Sequence, residues 1–120
     1  MKLLLIDDNT SISTMYSKYL TTKGHHQCTV INDGKEGLAR IKQDNFDVIV
    51  LDLAIPNFSG HDIIDSLVDD GTIKDYKIIV LSASHMTDTE IAKLMGKGVL
   101  TCLDKPVQLK KLLETIENII

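Results

Sequence analysis

Two adjacent carboxylates, Asp7 and Asp8, follow directly after the apolar run Leu3–Ile6. Like charges repel one another, and burial at a strand end penalises each ionised carboxylate further. A third acid, Asp52, follows a second apolar run, Val48–Leu51. Three carboxylates without a nearby His or Cys are the ligands that a hard cation such as Mg²⁺ prefers. A shared divalent ion would allow the acids to stay ionised together.

A hydroxyl and an ammonium group follow two later apolar runs. Ser82 comes directly after Ile78–Leu81, and Lys105 comes shortly after Val99–Leu103. Both groups can bind the oxygens of a phosphoryl group, whose transfer depends mainly on positioning and charge neutralisation. An aspartate beside the metal could itself be the nucleophile and form an acyl phosphate. These residue types indicate phosphoryl chemistry that depends on Mg²⁺.

The apolar runs alternate with segments of helical periodicity. Besides the runs above, Cys28–Ile31 is a short β-branched segment that predicts a further strand. Apolar residues recur at helical spacing between and after the runs, which predicts five amphipathic helices. The residues that form these stripes are Ile12, Met15, Tyr16, Tyr19 and Leu20; Leu38 and Ile41; Ile63, Ile64, Leu67 and Val68; Ile91, Leu94 and Met95; and Leu109, Leu112, Leu113, Ile116 and Ile120.

Local signals mark several helix termini. Asp33 can cap the second helix, with Glu36 three residues later, and Thr87–Glu90 (TDTE) has capping-box spacing. Gly24 follows the first stripe as a stop signal, and Pro106 suits the first turn of the last helix. The regular alternation of strands and helices predicts an α/β protein with a doubly wound sheet.

Such a sheet would bring the chemical groups together. Three predicted strands, Leu3–Ile6, Val48–Leu51 and Ile78–Leu81, are apolar at every position, as parallel strands are when helices cover both faces. In doubly wound sheets ligands bind beyond the carboxyl ends of the strands. We therefore expect the three acids, the hydroxyl and the lysine to meet at one edge of the sheet.

The composition is that of an ordinary globular protein. The 120 residues are enough for one domain with a core and too few for two. With 17 acidic against 13 basic residues and no cluster of Lys or Arg, the chain lacks a nucleic-acid footprint. Every apolar run is far shorter than the ~20 residues that span a bilayer. We expect a cytoplasmic protein without membrane insertion.

The motifs, taken in order, resemble those of the receiver domain of two-component response regulators. They are IDD at Ile6–Asp8, DLAIPNFSG at Asp52–Gly60, LSA at Leu81–Ala83 and KP at Lys105–Pro106. The resemblance covers essentially the whole chain, so we expect a single receiver domain over residues 1–120. It implies a flavodoxin-like five-stranded parallel sheet with strand order 2-1-3-4-5 and five helices.

The resemblance also implies a metal site. Asp8 would ligate Mg²⁺ directly, and Asp7 would do so mainly through water. Asp52 and the backbone carbonyl of Ala54 would complete the protein's ligands. Mg²⁺ is the only cofactor that the resemblance implies.

The same resemblance assigns the phosphoryl chemistry. Asp52 would be the phosphoacceptor, and a histidine kinase or a phosphotransfer protein would supply the phosphoryl group. Ser82 would hydrogen-bond that group, and Lys105 would pair with one of its oxygens. In this family the peptide bond before the proline that matches Pro106 is cis. The chain would then be a signalling switch, not an enzyme, that acts through contact with an unknown downstream protein.

One position departs from the family pattern. Receivers commonly carry an aromatic switch residue three positions before the lysine, where this chain has Cys102. In the family, the ring of this residue swings inward when the hydroxyl after the fourth strand moves. A cysteine is too small to couple to that motion in the same way, so the usual route of signal output is in doubt. Strand order places Cys28 and Cys102 on opposite edges, about 19 Å apart, beyond the ~7 Å that a disulfide allows. Both thiols should remain free.

Other functions stay open on the sequence alone. A haloacid-dehalogenase-type phosphatase also uses an Asp nucleophile after a strand, but its general-acid Asp would stand where this chain has Asn9. A flavodoxin-like redox module would need a Gly-rich phosphate loop, and Asp7–Ser13 contains no glycine. A degenerate receiver would bind partners without phosphorylation. The chain is either a stand-alone receiver or part of a longer regulator.

Overall fold

Strands and helices alternate along residues 1–119, which the computed structural model describes. The strands are β1 (Lys2–Ile6), β2 (Gln27–Ile31), β3 (Val48–Asp52), β4 (Ile78–Ser82) and β5 (Thr101–Asp104). The helices are α1 (Thr10–Thr22), α2 (Gly34–Gln43), α3 (Gly60–Asp69), α4 (Asp88–Lys97) and α5 (Leu109–Ile119), and a 3₁₀ helix spans Ile73–Asp75. Ile120, the last residue of the predicted fifth helical stripe, lies outside the described residues.

The strands form one parallel sheet in the order β2-β1-β3-β4-β5. This order confirms the predicted doubly wound, flavodoxin-like topology. The register places Ile6 beside Leu51 and Asp52 beside Leu81. The carboxyl ends of the three central strands therefore finish at nearly the same level, and the residues that follow them share one edge.

Helices cover both faces of the sheet, as the apolar strands predict. Successive side chains of a strand point to opposite faces, so Leu4 and Ile6 belong to the core beneath α2, α3 and α4. Leu3 and Leu5 belong to the core beneath α1 and α5. All four side chains are at most 1% exposed, and full burial of each such side chain stabilises the fold by ~1.5–3 kcal/mol. The strand ends thus rest on a rigid scaffold.

Caps fix the helices next to the loops of this edge. Asp33 caps α2 and Thr87 caps α4, each side chain accepting the N–H of the residue three positions later. The reciprocal capping box lies at the start of α3, where Ser59 Oγ accepts the N–H of Asp62 and the Asp62 carboxylate accepts the N–H of Ser59. This box closes the loop that follows β3.

The predicted start of β5 at Val99 is wrong by two residues. Val99 N donates to Leu94 O at 3.2 Å, a bond that still belongs to the end of α4. Gly98, with φ of 128°, makes this ending possible. The strand therefore begins at Thr101 and runs to Asp104. None of the helices in residues 1–119 combines the length and the apolarity needed to cross a membrane.

Candidate functional site

Three carboxylates cluster at the carboxyl edge of the sheet. Asp7 and Asp8 follow β1, and Asp52 ends β3. One oxygen from each of the three lies within 4.8 Å of the others. Asp7 is 4% exposed and Asp52 is 3% exposed, whereas Asp8 is exposed. The structure therefore brings together the three acids that the strand ends predict.

Lys105 lies between the two buried acids. Its Nζ is 2.7 Å from Asp7 Oδ2 and 3.3 Å from Asp52 Oδ2. The side chains are 13% exposed for the lysine and 5% for each acid. Lys105 N donates to Ser82 O at 2.7 Å, which ties the lysine backbone to the end of β4. The peptide bond to Pro106 is cis, as the resemblance implies.

Backbone N–H groups hold the remaining oxygens of the buried acids. Asp7 Oδ1 accepts from Asn9 N at 2.9 Å, and Asp52 Oδ1 accepts from Ala54 N at 3.2 Å. Both oxygens of Asp7 are thus engaged in short bonds, because Oδ2 accepts from Lys105 at 2.7 Å. The contacts of Asp52 are longer, so its carboxylate is the less tightly held of the two.

Burial and an excess of acids together set the electrostatics of the site. Burial, together with the charge of Asp7, raises the pKa of Asp52, although the Ala54 N–H and the Lys105 charge oppose this. Burial by itself lowers the pKa of Lys105, but the hydrogen bond that Lys105 donates to Asp7 and the charge of Asp52 outweigh it, and the pKa of Lys105 is raised. The lysine is therefore protonated at neutral pH and neutralises only one of three carboxylates.

Ser82 completes the predicted set, although its hydroxyl has another partner in this structure. Ser82 is 7% exposed, and its Oγ donates to the backbone carbonyl of Ser84 at 2.8 Å. That bond joins the end of β4 to the loop before α4. A phosphoryl group at the cluster would have to compete with the Ser84 carbonyl for this hydroxyl.

The loop Leu53–Ser59 packs closely against the strand that carries Asp52. Gly60 N donates to Leu53 O at 3.1 Å. A Cβ at Gly60 would lie 2.5 Å from Asp52 O and 2.7 Å from the Cα of Leu53, closer than real Cβ contacts. Any other residue at this position would push the loop away from the phosphoacceptor candidate. Ala54, the predicted backbone ligand, lies in this loop and is exposed.

A cavity of about 550 Å³ opens over the cluster. The acids and Lys105 form its polar part, and Ile12, Met15, Tyr16 and Val107 are among its apolar lining. Met15 is 50% exposed, so a partner that reaches the acids can also contact an apolar surface. The sequence pattern predicts Ile12, Met15 and Tyr16 only as members of a helical stripe and misses their place beside the site.

One further residue at this edge is missed by motif reasoning. Asn32 Nδ2 donates to the backbone carbonyl of Asp7 at 2.7 Å. Asn32 directly follows β2, so the same strand-end rule that points to the acids also points to it. The side chain contacts the segment that carries the acid pair without being one of its ligands.

The switch position of the family holds a thiol in this chain. Cys102 lies in β5 beside Val80 of β4 and packs, partly buried, against the core beneath α2, α3 and α4. Burial and the charge of Asp104 raise the pKa of this thiol. Cys28 lies in β2 at the opposite edge of the sheet, and both cysteines are free, as predicted.

The chemistry of the donor set fits a hard divalent cation. Asp7, Asp8 and Asp52 offer carboxylate oxygens within a span of 4.8 Å, and one lysine leaves their charge only partly neutralised. Mg²⁺ binds to oxygen ligands in proteins, and the excess negative charge of these carboxylates would favour it.

A parallel doubly wound sheet with clustered acids and a lysine at its carboxyl edge defines a class of signalling module. Residues 3–117 match the family model described as the response regulator receiver domain. The chain belongs to this family. Receiver domains are signalling switches that receive their signals from histidine kinases or phosphotransfer proteins, and they bind Mg²⁺ at an acidic pocket.

Relatives and solved structures agree with this assignment. Protein PilH of Pseudomonas aeruginosa is 29% identical, over 99% of this chain and 97% of PilH. The uncharacterised transcriptional regulatory protein YclJ of Bacillus subtilis is 33% identical over 80% of this chain, which is 39% of YclJ. The structure of chemotaxis protein CheY4 of Vibrio cholerae superposes with a TM-score of 0.86 at 26% identity, covering 99% of this chain and 98% of that one.

The coverage of these relatives differs. The chain spans 39%, 53% and 51% of three curated relatives that are regulators with additional sequence. It spans PilH almost completely. The family therefore includes proteins that consist mainly of this domain and proteins in which it is one part.

Proposed function

We propose that this receiver domain is a phosphoryl-accepting switch whose phosphoacceptor is Asp52, and that residues 1–120 form a single domain. A histidine kinase or a phosphotransfer protein is the donor, and Mg²⁺ is required. The observation that carries the proposal is that the carboxylate of Asp52 makes longer contacts than the carboxylate of Asp7. Both oxygens of Asp7 accept short bonds, at 2.9 and 2.7 Å, whereas the contacts of Asp52 are 3.2 and 3.3 Å.

Basicity favours the same acid. A carboxylate whose pKa is raised is the better nucleophile, and burial raises the pKa of Asp52. In the transfer, an Asp52 oxygen forms a bond to phosphorus while the bond from phosphorus to the donor imidazole nitrogen breaks. The electron pair of that bond stays on the imidazole. No proton has to leave the nucleophile, because Asp52 acts as a carboxylate.

The remaining residues neutralise and orient charge. Asp7, Asp8, Asp52 and the carbonyl of Ala54 would hold Mg²⁺. When bound, Mg²⁺ supplies positive charge against the phosphoryl oxygens. Lys105 supplies a second positive charge at a position already set by its bonds to the buried acids.

Ser82 links the modification to the loop before α4. A phosphoryl group on Asp52 adds about −1.5 to −2 charges and strong acceptor oxygens close to the end of β4. Ser82 would then donate to a phosphoryl oxygen and release the carbonyl of Ser84, its present partner. The loop would rearrange as a result, and the changed surface would be read by protein–protein contact.

Phosphorylation by a small-molecule donor tests this proposal. Incubation with acetyl phosphate and Mg²⁺ should add one phosphoryl group, detected as an intact-mass increase that EDTA prevents. Asp52→Asn should abolish the increase, while Asp69→Asn, at an exposed position of α3, should leave it unchanged. Undiminished labelling of Asp52→Asn would refute the assignment. If the parent protein takes up no phosphoryl group, the degenerate-receiver alternative is the better description.

A further inference from the structure

Residues 32–34, which lead from the end of β2 into the first residue of α2, contact both segments that carry the proposed metal ligands. On one side, Asn32 Nδ2 donates to the carbonyl of Asp7 at 2.7 Å. A carbonyl oxygen can only accept, so the amide nitrogen of Asn32 must face it. Asp7 N in turn donates to Ile31 O at 3.1 Å. The last residue of β2 and the residue directly after it thus hold the backbone of the acid pair at two points.

On the other side, Gly34 lies against the loop that carries Ala54. A Cβ at Gly34 would lie 1.8 Å from the carbonyl oxygen of Phe58 and 2.9 Å from its carbonyl carbon. Real Cβ atoms essentially never approach a neighbour closer than 3.0 Å, so the contact requires glycine. The backbone of Gly34 is not among the residues with positive φ, so the requirement is for space and not for a special conformation.

We infer that Asn32 and Gly34 are positioning residues for the metal site. Asn32 fixes the peptide between Asp7 and Asp8, and Gly34 sets how closely the loop with Ala54 approaches the sheet. Neither residue supplies a ligand. The inference rests on the proposed function, because it concerns the affinity of the site for Mg²⁺.

The expected displacement of the loop that carries Ala54 is large enough to weaken the binding of Mg²⁺. An alanine at position 34 has to gain about 1.2 Å to bring the 1.8 Å approach to Phe58 up to 3.0 Å. Mg²⁺ requires near-ideal octahedral geometry at about 2.0–2.1 Å, so a ligand displaced by a large part of that distance is lost.

In Gly34→Ala, the loop that contains Phe58 is expected to move, and the start of α2 is expected to stay in place. The start of α2 is held by the Asp33 cap, which accepts from Glu36 N at 2.9 Å. It is also held by Gly37, whose α-carbon packs so closely on Ile6 that a Cβ would lie 2.8 Å from that side chain. Phe58 is only partly buried, so its segment can move more easily.

The experiment compares Mg²⁺ affinity in variants that carry small changes. Gly34→Ala and Asn32→Ala test the two contacts. Gly24→Ala is the destabilised control, because its Cβ would lie 2.6 Å from the ring of His26, which directly precedes β2. This contact is at the end of β2 opposite to Asn32. Gly96→Ala is the neutral control, since nothing lies within 4 Å of a Cβ there. Titration calorimetry with MgCl₂ gives the affinity, and urea unfolding in EDTA gives the stability.

Both test variants should bind Mg²⁺ about 10-fold or more weakly, the usual effect of losing a residue that orients metal ligands. Both controls should bind as the parent does, even though Gly24→Ala loses stability. In the metal-free Gly34→Ala protein, the backbone amide signal of Ala54 should shift in an ¹H–¹⁵N NMR spectrum, and in Gly96→Ala it should not.

The outcomes separate this inference from the proposed function. If the parent binds no Mg²⁺, both fail. If the parent binds Mg²⁺ and takes up phosphate but both test variants bind as well as Gly24→Ala, the inference alone is overturned. If Gly34→Ala does not fold, Asn32→Ala decides by the same criterion, because it only truncates one exposed side chain.

Discussion

Replacing Lys105 with methionine should reveal the electrostatic strain in this site. Methionine keeps most of the apolar stem and removes the charge that lies 2.7 Å from Asp7 and 3.3 Å from Asp52. Because all three side chains are at most 13% exposed, the loss leaves two buried carboxylates without a counter-charge. Removing one partner of a buried pair costs about 3–5 kcal/mol in the free energy of unfolding.

A surface ion pair provides the matched control. Lys42 Nζ lies 2.6 Å from Asp70 Oδ2, but these side chains are 46% and 44% exposed. Exposed pairs contribute only about 0.2–1 kcal/mol, so Lys42→Met should be nearly neutral. The distance from nitrogen to oxygen is similar in the Lys42–Asp70 and Lys105–Asp7 pairs, at 2.6 and 2.7 Å. The difference in burial therefore predicts the difference in the loss of stability.

Urea unfolding at neutral pH in EDTA measures both variants. With a slope of about 2 kcal/mol per molar urea, a loss of about 3 kcal/mol lowers the midpoint by about 1.5 M. MgCl₂ should restore more stability to Lys105→Met than to the parent, because the metal then replaces the missing charge without competition from the lysine. A loss below about 1 kcal/mol, equal to that of the Lys42→Met control, would refute the reasoning.

Three other predictions concern the charges and thiols of the chain. Asp8→Ala should abolish the rise in melting temperature that Mg²⁺ gives the parent, as measured by calorimetry, with little cost in stability because Asp8 is exposed. Asp52→Asn should unfold at higher urea than the parent in EDTA at neutral pH, since the raised pKa of Asp52 means that its ionised form opposes folding. That gain should shrink as the pH falls through the raised pKa and vanish below the unfolded-state value of about 4; a gain independent of pH would contradict it. Cys28 and Cys102 should both titrate as free thiols after air exposure and denaturation of the monomer, and in the folded protein both should alkylate slowly at pH 8, because burial raises the pKa of each. A disulfide between them would contradict the strand order.

Local patterns carry much of the fold because each strand end is marked by a change of residue type. The apolar run before Asp7 and the one before Asp52 each stop at the first charged residue, and parallel pairing then brings those residues to one edge. The start of β5 is not predictable in this way. Val99 is apolar whether it closes α4 or begins a strand, and only the bond to Leu94 O decides.

Contacts within the site are less accessible to sequence reasoning. The resemblance assigns Lys105 to a phosphoryl oxygen, and nothing in its motif shows that it bridges two buried acids beforehand. From the sequence, Gly34 is only the residue after a helix cap. Its importance lies in its close approach to Phe58, which is distant in the chain. Distances between segments far apart in sequence decide such roles, and local patterns do not contain them.

Identification of the phosphorylated residue tests the central claim most directly. The protein is incubated with acetyl phosphate and Mg²⁺, and the acyl phosphate is then reduced with borohydride, which converts a phosphorylated aspartate into homoserine. Peptide mass spectrometry reads the position of the change. The account predicts homoserine at position 52, with Asp7 and Asp8 unmodified. Homoserine at position 7 or 8, or no conversion in a protein that binds Mg²⁺, would contradict it.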